Sequence, residues 1–281
     1  MLELRHQYPV AALLKLAGLA RSTFYYQQKV RESVDKYQQI KDSIREVFDS
    51  HKGRYGYRRI TATLVQMGKR VNHKTVQRLM SQLGLKSLVR LKKYRSYKGG
   101  VGTAAPNILA RQFDAQQINQ KWVTDVTEFN VAGEKLYLSP VLDLYNGEIV
   151  AFETSRRPIF EMVSSMLKQA MTRLAPQDKP IIHSDQGWQY KMPTFKKMLK
   201  QQQITQSMSR KGNCLDNAAM ESFFGTLKSE YFYLNKFSSY EELDTGLKEY
   251  IHYYNNDRIK LKLKGLSPVQ YRNQSISTLA T

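Results

Sequence analysis

The chain has 281 residues, a formal net charge of +20 and a sequence pI near 9.8. Hydrophobic residues make up 41% and charged residues 24%, ordinary for a globular protein with a sizeable core and more than one domain. A single cysteine, Cys214, excludes an intrachain disulfide, and no apolar run reaches the roughly 18 residues a membrane span needs, so the expectation is a protein of the reducing cytoplasm.

The charge is uneven. Residues 1–100 carry 22 Lys and Arg against 6 Asp and Glu, a surplus of 16, and the rest of the chain carries a surplus of only 4. A basic front joined to a nearly balanced back points to a polyanion-binding part and a separate working part. At the front, Val10, Leu13, Leu14 and Ala17 recur at helical spacing, Gly18 breaks the pattern, and Ser22 or Thr23 can cap a second short helix. Residues 1–34 therefore resemble a helix-turn-helix. Residues 35–50 predict an amphipathic helix with Ile40, Ile44, Val47 and Phe48 on one face. After it, His51-Lys52-Gly53-Arg54-Tyr55-Gly56-Tyr57-Arg58-Arg59-Ile60 interleaves Arg and Tyr, which suits phosphate contact and base stacking. Two further helices follow, the second capped by Asn72 and carrying His73, Lys74, Gln77 and Arg78 away from its apolar stripe. Residues 35–98 thus predict a second helix-turn-helix, whose basic arm includes Lys92, Lys93 and Arg95 with tyrosines between. Small, turn-prone residues from Gly99 mark a linker over 99–117.

From there the pattern changes to strands. Trp122 to Phe129 predicts one strand, Lys135 to Asp143 a second, and Ile149 to Glu153 a third, with turns at Gly133 and Asn146-Gly147. A helix over 160–174, a short strand at 180–183, a helix over 193–202, a strand at 204–206 and a helix from Asn213 to Phe232 complete a β-β-β-α-β-α-β-α order over 118–235. That order matches the ribonuclease-H-like fold. Residues 236–281 predict a helical appendix, with a helix near 239–255 and a basic strip including Arg258 and Lys260.

Three carboxylates stand out. Asp125 lies within a β-branched strand, where Asp is depleted. Asp185 sits where a buried strand ends. Glu221 lies on a helix whose apolar stripe is Met220, Phe223, Phe224, Leu227 and Tyr231, while Asn217, Glu221, Gly225 and Lys228 share another face. Thirty-five residues separate Asp185 from Glu221. Three converging carboxylates would repel unless cations neutralised them, and Mg2+ prefers a few carboxylates with waters and phosphate oxygens. Two such ions roughly 4 Å apart can serve an in-line phosphoryl displacement. Lys228 would then meet a DNA phosphate. Asp143 and Glu128 are rival strand carboxylates, His183 reads as structural, and Cys214 reads as a packing residue.

The words Trp122-Val123-Thr124-Asp125-Val126-Thr127, His183-Ser184-Asp185-Gln186-Gly187-Trp188-Gln189-Tyr190 and Asn213-Cys214-Leu215-Asp216-Asn217-Ala218-Ala219-Met220-Glu221 carry a resemblance. So do Tyr254-Asn255-Asn256-Asp257-Arg258 and Gly265-Leu266-Ser267-Pro268. The chain resembles the OrfB-type insertion-sequence transposases of the retroviral-integrase superfamily over almost its whole length. The resemblance implies an Asp-Asp-Glu site of Asp125, Asp185 and Glu221 holding two Mg2+ ions, with Mn2+ able to substitute. It implies nicking of double-stranded DNA at element ends, 3′-OH strand transfer into a target, and a homo-oligomer on DNA. It also implies a bacterial, nucleoid-associated setting and a first-frame (OrfA) partner or fusion that supplies a coiled coil; no heptad zipper is visible in this chain. A ribonuclease-H-like nuclease and a catalytically silent DNA-binding regulator remain the alternatives.

Overall fold

Trp122 and Val123 are neighbours in sequence and enter opposite cores, and this alternation organises the sheet. The computed structural model describes residues 3–32, 35–89, 105–110, 112–210 and 217–279. Strand β1 (Lys121–Thr124) lies between an antiparallel neighbour, β3 (Glu134–Asp143), and a parallel one, β5 (Ile181–Ser184). Strand β6 (Thr205–Met208) extends β5 in parallel, and β4 (Ile149–Ser155) pairs with the other side of β3.

The single strand expected from Trp122 to Phe129 is interrupted. β1 ends at Thr124 and β2 (Thr127–Val131) begins three residues later, yet both pair with β3 in one register. Thr124 stands opposite Val141 and Thr127 opposite Leu138, so Asp125 and Val126 face Pro140 and Ser139 across the break. Pro140 has no amide hydrogen to donate, and its carbonyl accepts the Thr124 hydroxyl at 2.9 Å. The β2–β3 turn is made by Ala132 and Gly133, both at positive φ (51° and 86°), as a two-residue hairpin requires. Asn146-Gly147, by contrast, sits in a longer β3–β4 connection in which the Asn146 side chain is buried and bonded to Glu148 and Pro268.

On one face of the sheet, Trp122, Val141 and Ile182 pack beneath α6 (Phe160–Met171) and beside Tyr190 and Phe195, which belong to α7 (Trp188–Lys191) and α8 (Pro193–Gln201). On the other, Val123, Leu138 and Leu142 meet α9 (Ala218–Glu230) and α10 (Tyr240–Asn256). The residues of α9 in that core include Met220, Phe223, Phe224 and Leu227, the stripe read from helical spacing.

Ahead of the sheet, α3 (Gln38–Ser50), α4 (Tyr57–Gln66) and α5 (His73–Gln82) close a third core of Ile44, Val47, Ile60, Leu64, Val76 and Leu79, into which Ile259 inserts from far along the chain. Asn72 caps α5, its side chain accepting Lys74 N–H at 2.8 Å. The first two helices, α1 (Val10–Leu16) and α2 (Arg21–Glu32), follow the expected pattern, but α2 starts at Arg21, so Ser22 and Thr23 lie inside its first turn. A final helix, α11 (Pro268–Leu279), completes the helical appendix expected over 236–281, where only the helix near 239–255 has bounds read from the sequence. Its start is a reciprocal capping box: Ser267 Oγ accepts Gln270 N–H and Gln270 Oε1 accepts Ser267 N–H. The whole is a helix-turn-helix-like part, a ribonuclease-H-like α/β core and a helical C-terminal appendix. Among the described residues no helix is long and apolar enough to cross a membrane.

Candidate active site

The parallel register of β1 and β5 pairs Trp122 with Ile182 and Val123 with His183. Each strand ends one residue later, at Thr124 and at Ser184, and the next residues are Asp125 and Asp185. Adjacent strands lie about 4.8 Å apart, so the two carboxylates leave the sheet side by side at the carboxyl ends of parallel strands. Asp125 Oδ1 accepts Val126 N–H at 2.8 Å, and Asp185 Oδ1 accepts Gly187 N–H at 2.8 Å in a tight Asx-type turn. A Cβ at Gly187 would stand 2.9 Å from that same carboxylate oxygen, so a larger residue there would displace the carboxylate.

The pair is strained electrostatically. Burial pushes the Asp125 carboxyl up to about 8; the Asp185 charge adds to this, Val126 N–H and Lys228 oppose it, and Glu221 adds a smaller push. Asp185 is raised too, by burial, against the Gly187 bond and the Lys191 charge. Tyr190 lies fully buried beneath the pair. Burial and then both carboxylates push its phenol far up, and its oxygen is 3.4 Å from Thr124 Oγ1. Neither Tyr190 nor Lys191 was singled out from sequence; nothing in the local pattern showed which aromatic would turn under the site.

Glu221 stands exposed in the first turn of α9, on the face of the sheet that Asp125 shares with Val123. Its charge reaches Asp125. Among the described residues, however, no three His, Cys, Asp or Glu side chains gather closely enough to hold a metal ion. The structure thus brings Asp125 and Asp185 together and leaves Glu221 within electrostatic reach of them. Lys228, two turns along α9, donates to Thr127 Oγ1 at 2.7 Å and to the Glu128 carbonyl at 3.1 Å, and lies over the Phe129 ring. It pins α9 to β2 on the Asp125 side. The oxygen-only donors and their mutual repulsion fit a hard divalent cation such as Mg2+.

The rival carboxylates lie elsewhere. Asp143 pairs with Trp122 at the start of β1, opposite the end that bears Asp125. It is buried and accepts Asn119 and Tyr145 N–H, and burial pushes it up to about 6. It lines a cavity of about 960 Å³ with Glu148, Arg173 and Arg272. Glu128 is exposed and paired with Lys135. His183 is buried in the sheet, its Nδ1 2.9 Å from Ser207 Oγ. Ser207 Oγ also accepts Ile108 and Leu109 N–H, so this buried cluster joins β5, β6 and the segment ahead of the core. Cys214 lies outside the described residues.

The candidate DNA contacts divide sharply. His73, Lys74, Gln77 and Arg78 on α5 are exposed, as is Arg58, and Tyr57 is half-buried against His73. Within the same segment Lys52 is exposed, but Arg54 and Tyr55 are buried and Arg59 is half-buried, which corrects the expectation for those three. Tyr55 is fully buried, donating to the Asp257 carbonyl at 3.1 Å and accepting Ile259 N–H at 2.9 Å. Arg54 is buried over the Tyr250 and Tyr253 rings. Arg59 pairs with buried Glu230, which Arg258 grips with two bonds of 2.7 Å. Lys260 donates to the Gly147 carbonyl and the Tyr254 hydroxyl, and burial holds its ammonium well below the usual lysine range. Side chains committed in this way do not face a nucleic acid. Lys92, Lys93 and Arg95 lie outside the described residues.

Family profiles described as integrase core domains match residues 115–214 and 221–276, and one described as an HTH-like domain matches residues 36–93. The chain is 56% identical over 273 residues to the protein InsK of insertion sequence IS150 from Escherichia coli strain K12, covering 97% of this chain and 96% of InsK. It is 31% identical over 281 residues to InsF, the transposase of IS3A from the same organism, covering 97% and 98%. Among solved structures, the HTLV-2 integrase catalytic core domain in complex with magnesium aligns with 19% identity and a TM-score of 0.44, covering 56% of this chain and 98% of that one.

Proposed function

We propose that this chain, which belongs to the insertion-sequence transposases of the integrase superfamily, nicks element ends and joins the freed 3′-OH to target DNA at a site built from Asp125, Asp185 and Glu221. The observation that carries the reading is the placement of Asp125 and Asp185 at matching positions beyond β1 and β5, where burial and the Asp185 charge both disfavour ionised Asp125. Those two carboxylates would hold Mg2+, or Mn2+ in its place, and Glu221 would complete the set from the exposed start of α9. When bound, a pair of such ions supplies electrostatic stabilisation of the attacking and leaving oxygens in an in-line displacement.

The chain's own residues do the rest. Gly187 N–H and Val126 N–H orient the two Asp carboxylates. Lys228 holds α9 against β2 and offsets the negative charge gathered at Asp125. The exposed face of α5 supplies His73, Lys74, Gln77 and Arg78 to double-stranded DNA. Two ends must meet for joining, so the working form is a homo-oligomer on DNA. An OrfA partner or fusion, a cytoplasmic setting near the nucleoid, and a division at residues 34, 98, 117 and 235 complete the proposal.

The test is nicking and joining of labelled end DNA with Mg2+, for wild type, Asp125→Asn, Asp185→Asn and Glu221→Gln. Wild type should nick and join, and each variant should lose both by at least about a hundredfold. Joining by the Glu221→Gln variant at the wild-type rate would remove Glu221 from the site. Cleavage of RNA in hybrids without DNA joining would favour a ribonuclease.

A further inference from the structure

We propose that the segment from His51 to Arg59 is a lock through which the helix-turn-helix part positions the helix that bears Glu221. The key group is Glu230, at the C-terminal end of α9 and nine residues beyond Glu221. On an α-helix that separation is about 14 Å along the axis, so α9 is one rigid rod with the site at one end and Glu230 at the other.

Glu230 is buried, and its ligands come from three directions. Arg258, following α10, donates to both carboxylate oxygens at 2.7 Å. Tyr250, within α10, donates at 3.0 Å. Arg59, on α4, donates at 3.2 Å and is the one ligand among these from the helix-turn-helix part. Around this centre the same segment contributes further contacts. The Tyr55 hydroxyl bridges the Asp257 carbonyl and Ile259 N–H, and Arg54 lies over Tyr250 and Tyr253. His51 stacks on Tyr55 at 3.7 Å between ring centroids and meets the Tyr253 hydroxyl. Ile259 closes the contact from the other side by entering the core of α3, α4 and α5. Arg54, Tyr55 and Arg59 of this Arg- and Tyr-rich motif are therefore committed to a cation–aromatic joint between two parts of the chain, while Arg58 stays exposed.

The consequence is mechanical. Arg59 is a positioning residue: it touches no reacting atom, and it acts on Glu221 through Glu230 and the body of α9. The inference rests on the reading of Glu221 as part of the site. Lys228 fixes the middle of the same helix to β2, so α9 is tied to the sheet and to the helix-turn-helix part at once.

Arg59→Met in the full chain tests it, because Arg258 and Tyr250 still satisfy Glu230 in that variant. Three quantities are measured: affinity for end DNA in Ca2+, the Mg2+-dependent nicking rate, and amide hydrogen exchange across residues 218–222 with the β1 and β5 amides as an internal reference. The lock requires affinity within about twofold of wild type, nicking reduced at least about tenfold, and faster exchange at the start of α9 with the sheet unchanged. Arg59→Lys, which keeps the charge and loses the fork, should fall between the two. Nicking at the wild-type rate with unchanged exchange would overturn the proposal. So would a parallel fall in affinity and nicking with unchanged exchange, which would make Arg59 a DNA contact. If wild type itself fails to nick, the proposed function falls, while the exchange result still decides for or against the lock.

Discussion

Asp125 and Asp185 occupy equivalent positions, each the first residue past the end of one of two neighbouring parallel strands. Their closeness comes from strand register, which backbone hydrogen bonds hold whether or not anything neutralises them.

Removing one charge of this pair should therefore help the metal-free protein and harm the working one. Asp185→Asn is expected to stabilise the metal-free chain by about 1 kcal/mol, by relieving repulsion on Asp125. Mg2+ should raise the melting temperature of wild type and leave that of the variant unmoved. Thermal unfolding with EDTA and with Mg2+ reads both outcomes, and a less stable metal-free variant would contradict the electrostatic account.

Two tyrosine- and arginine-bearing positions in the front half should behave in opposite ways. Arg78→Ala, on the exposed face of α5, should weaken DNA binding by roughly 1–3 kcal/mol if it meets a base edge, or reduce the salt slope by about one if it meets a phosphate. Tyr55→Phe removes both bonds of a buried hydroxyl and should cost roughly 1–3 kcal/mol of stability with little direct effect on DNA affinity. Binding isotherms across salt, beside denaturant melts, separate the two.

Two helical glycines should also diverge. A Cβ at Gly246 on α10 would overlap the phenol of Tyr231, so Gly246→Ala should destabilise by about 1–3 kcal/mol in spite of alanine's better helix propensity. Gly225 on α9 has nothing within 4 Å of such a Cβ. Gly225→Ala should stabilise by about 0.5–1 kcal/mol, read as a rise in denaturation midpoint.

Acid should loosen the joint at Glu230. Burial alone would raise its pKa, but Arg258 and Arg59 more than offset that, so its folded value lies below the ordinary 4.5. A carboxylate with a lowered folded pKa contributes stability that is complete above its unfolded pKa and is lost as pH falls through its folded one. Wild type should therefore lose stability more steeply than Glu230→Gln on acidification below about 4.5, while at neutral pH the variant should be the less stable of the two. Denaturant melts across pH give the slopes, and equal acid limbs would count against the ion pair.

Much of this was legible in the chain. The buried face of α9 follows from 3.6-residue periodicity, and the Asn72 cap from residue type and position. Asp125 announced itself as a carboxylate among β-branched neighbours. The break at Asp125 was not legible, because it depends on which residue of another strand stands opposite. The Arg-Tyr segment was misread for a related reason. Guanidinium and phenol groups suit phosphate and base surfaces, and they suit a buried carboxylate and aromatic shell equally well. What decides is Glu230, 171 residues from Arg59, and no local pattern carries that. The bounds of helix α11 are less legible: Ser267 and Gln270 spell its start, but its apolar stripe is too weak to mark the helix by periodicity.

The proline at position 140 makes a last point. With an ordinary amide at that position, the ladder could gain one more bond across from Asp125. A ring nitrogen with no hydrogen removes that donor covalently. The interruption between the two strands is thus written into the chain, flanked by paired backbone on both sides.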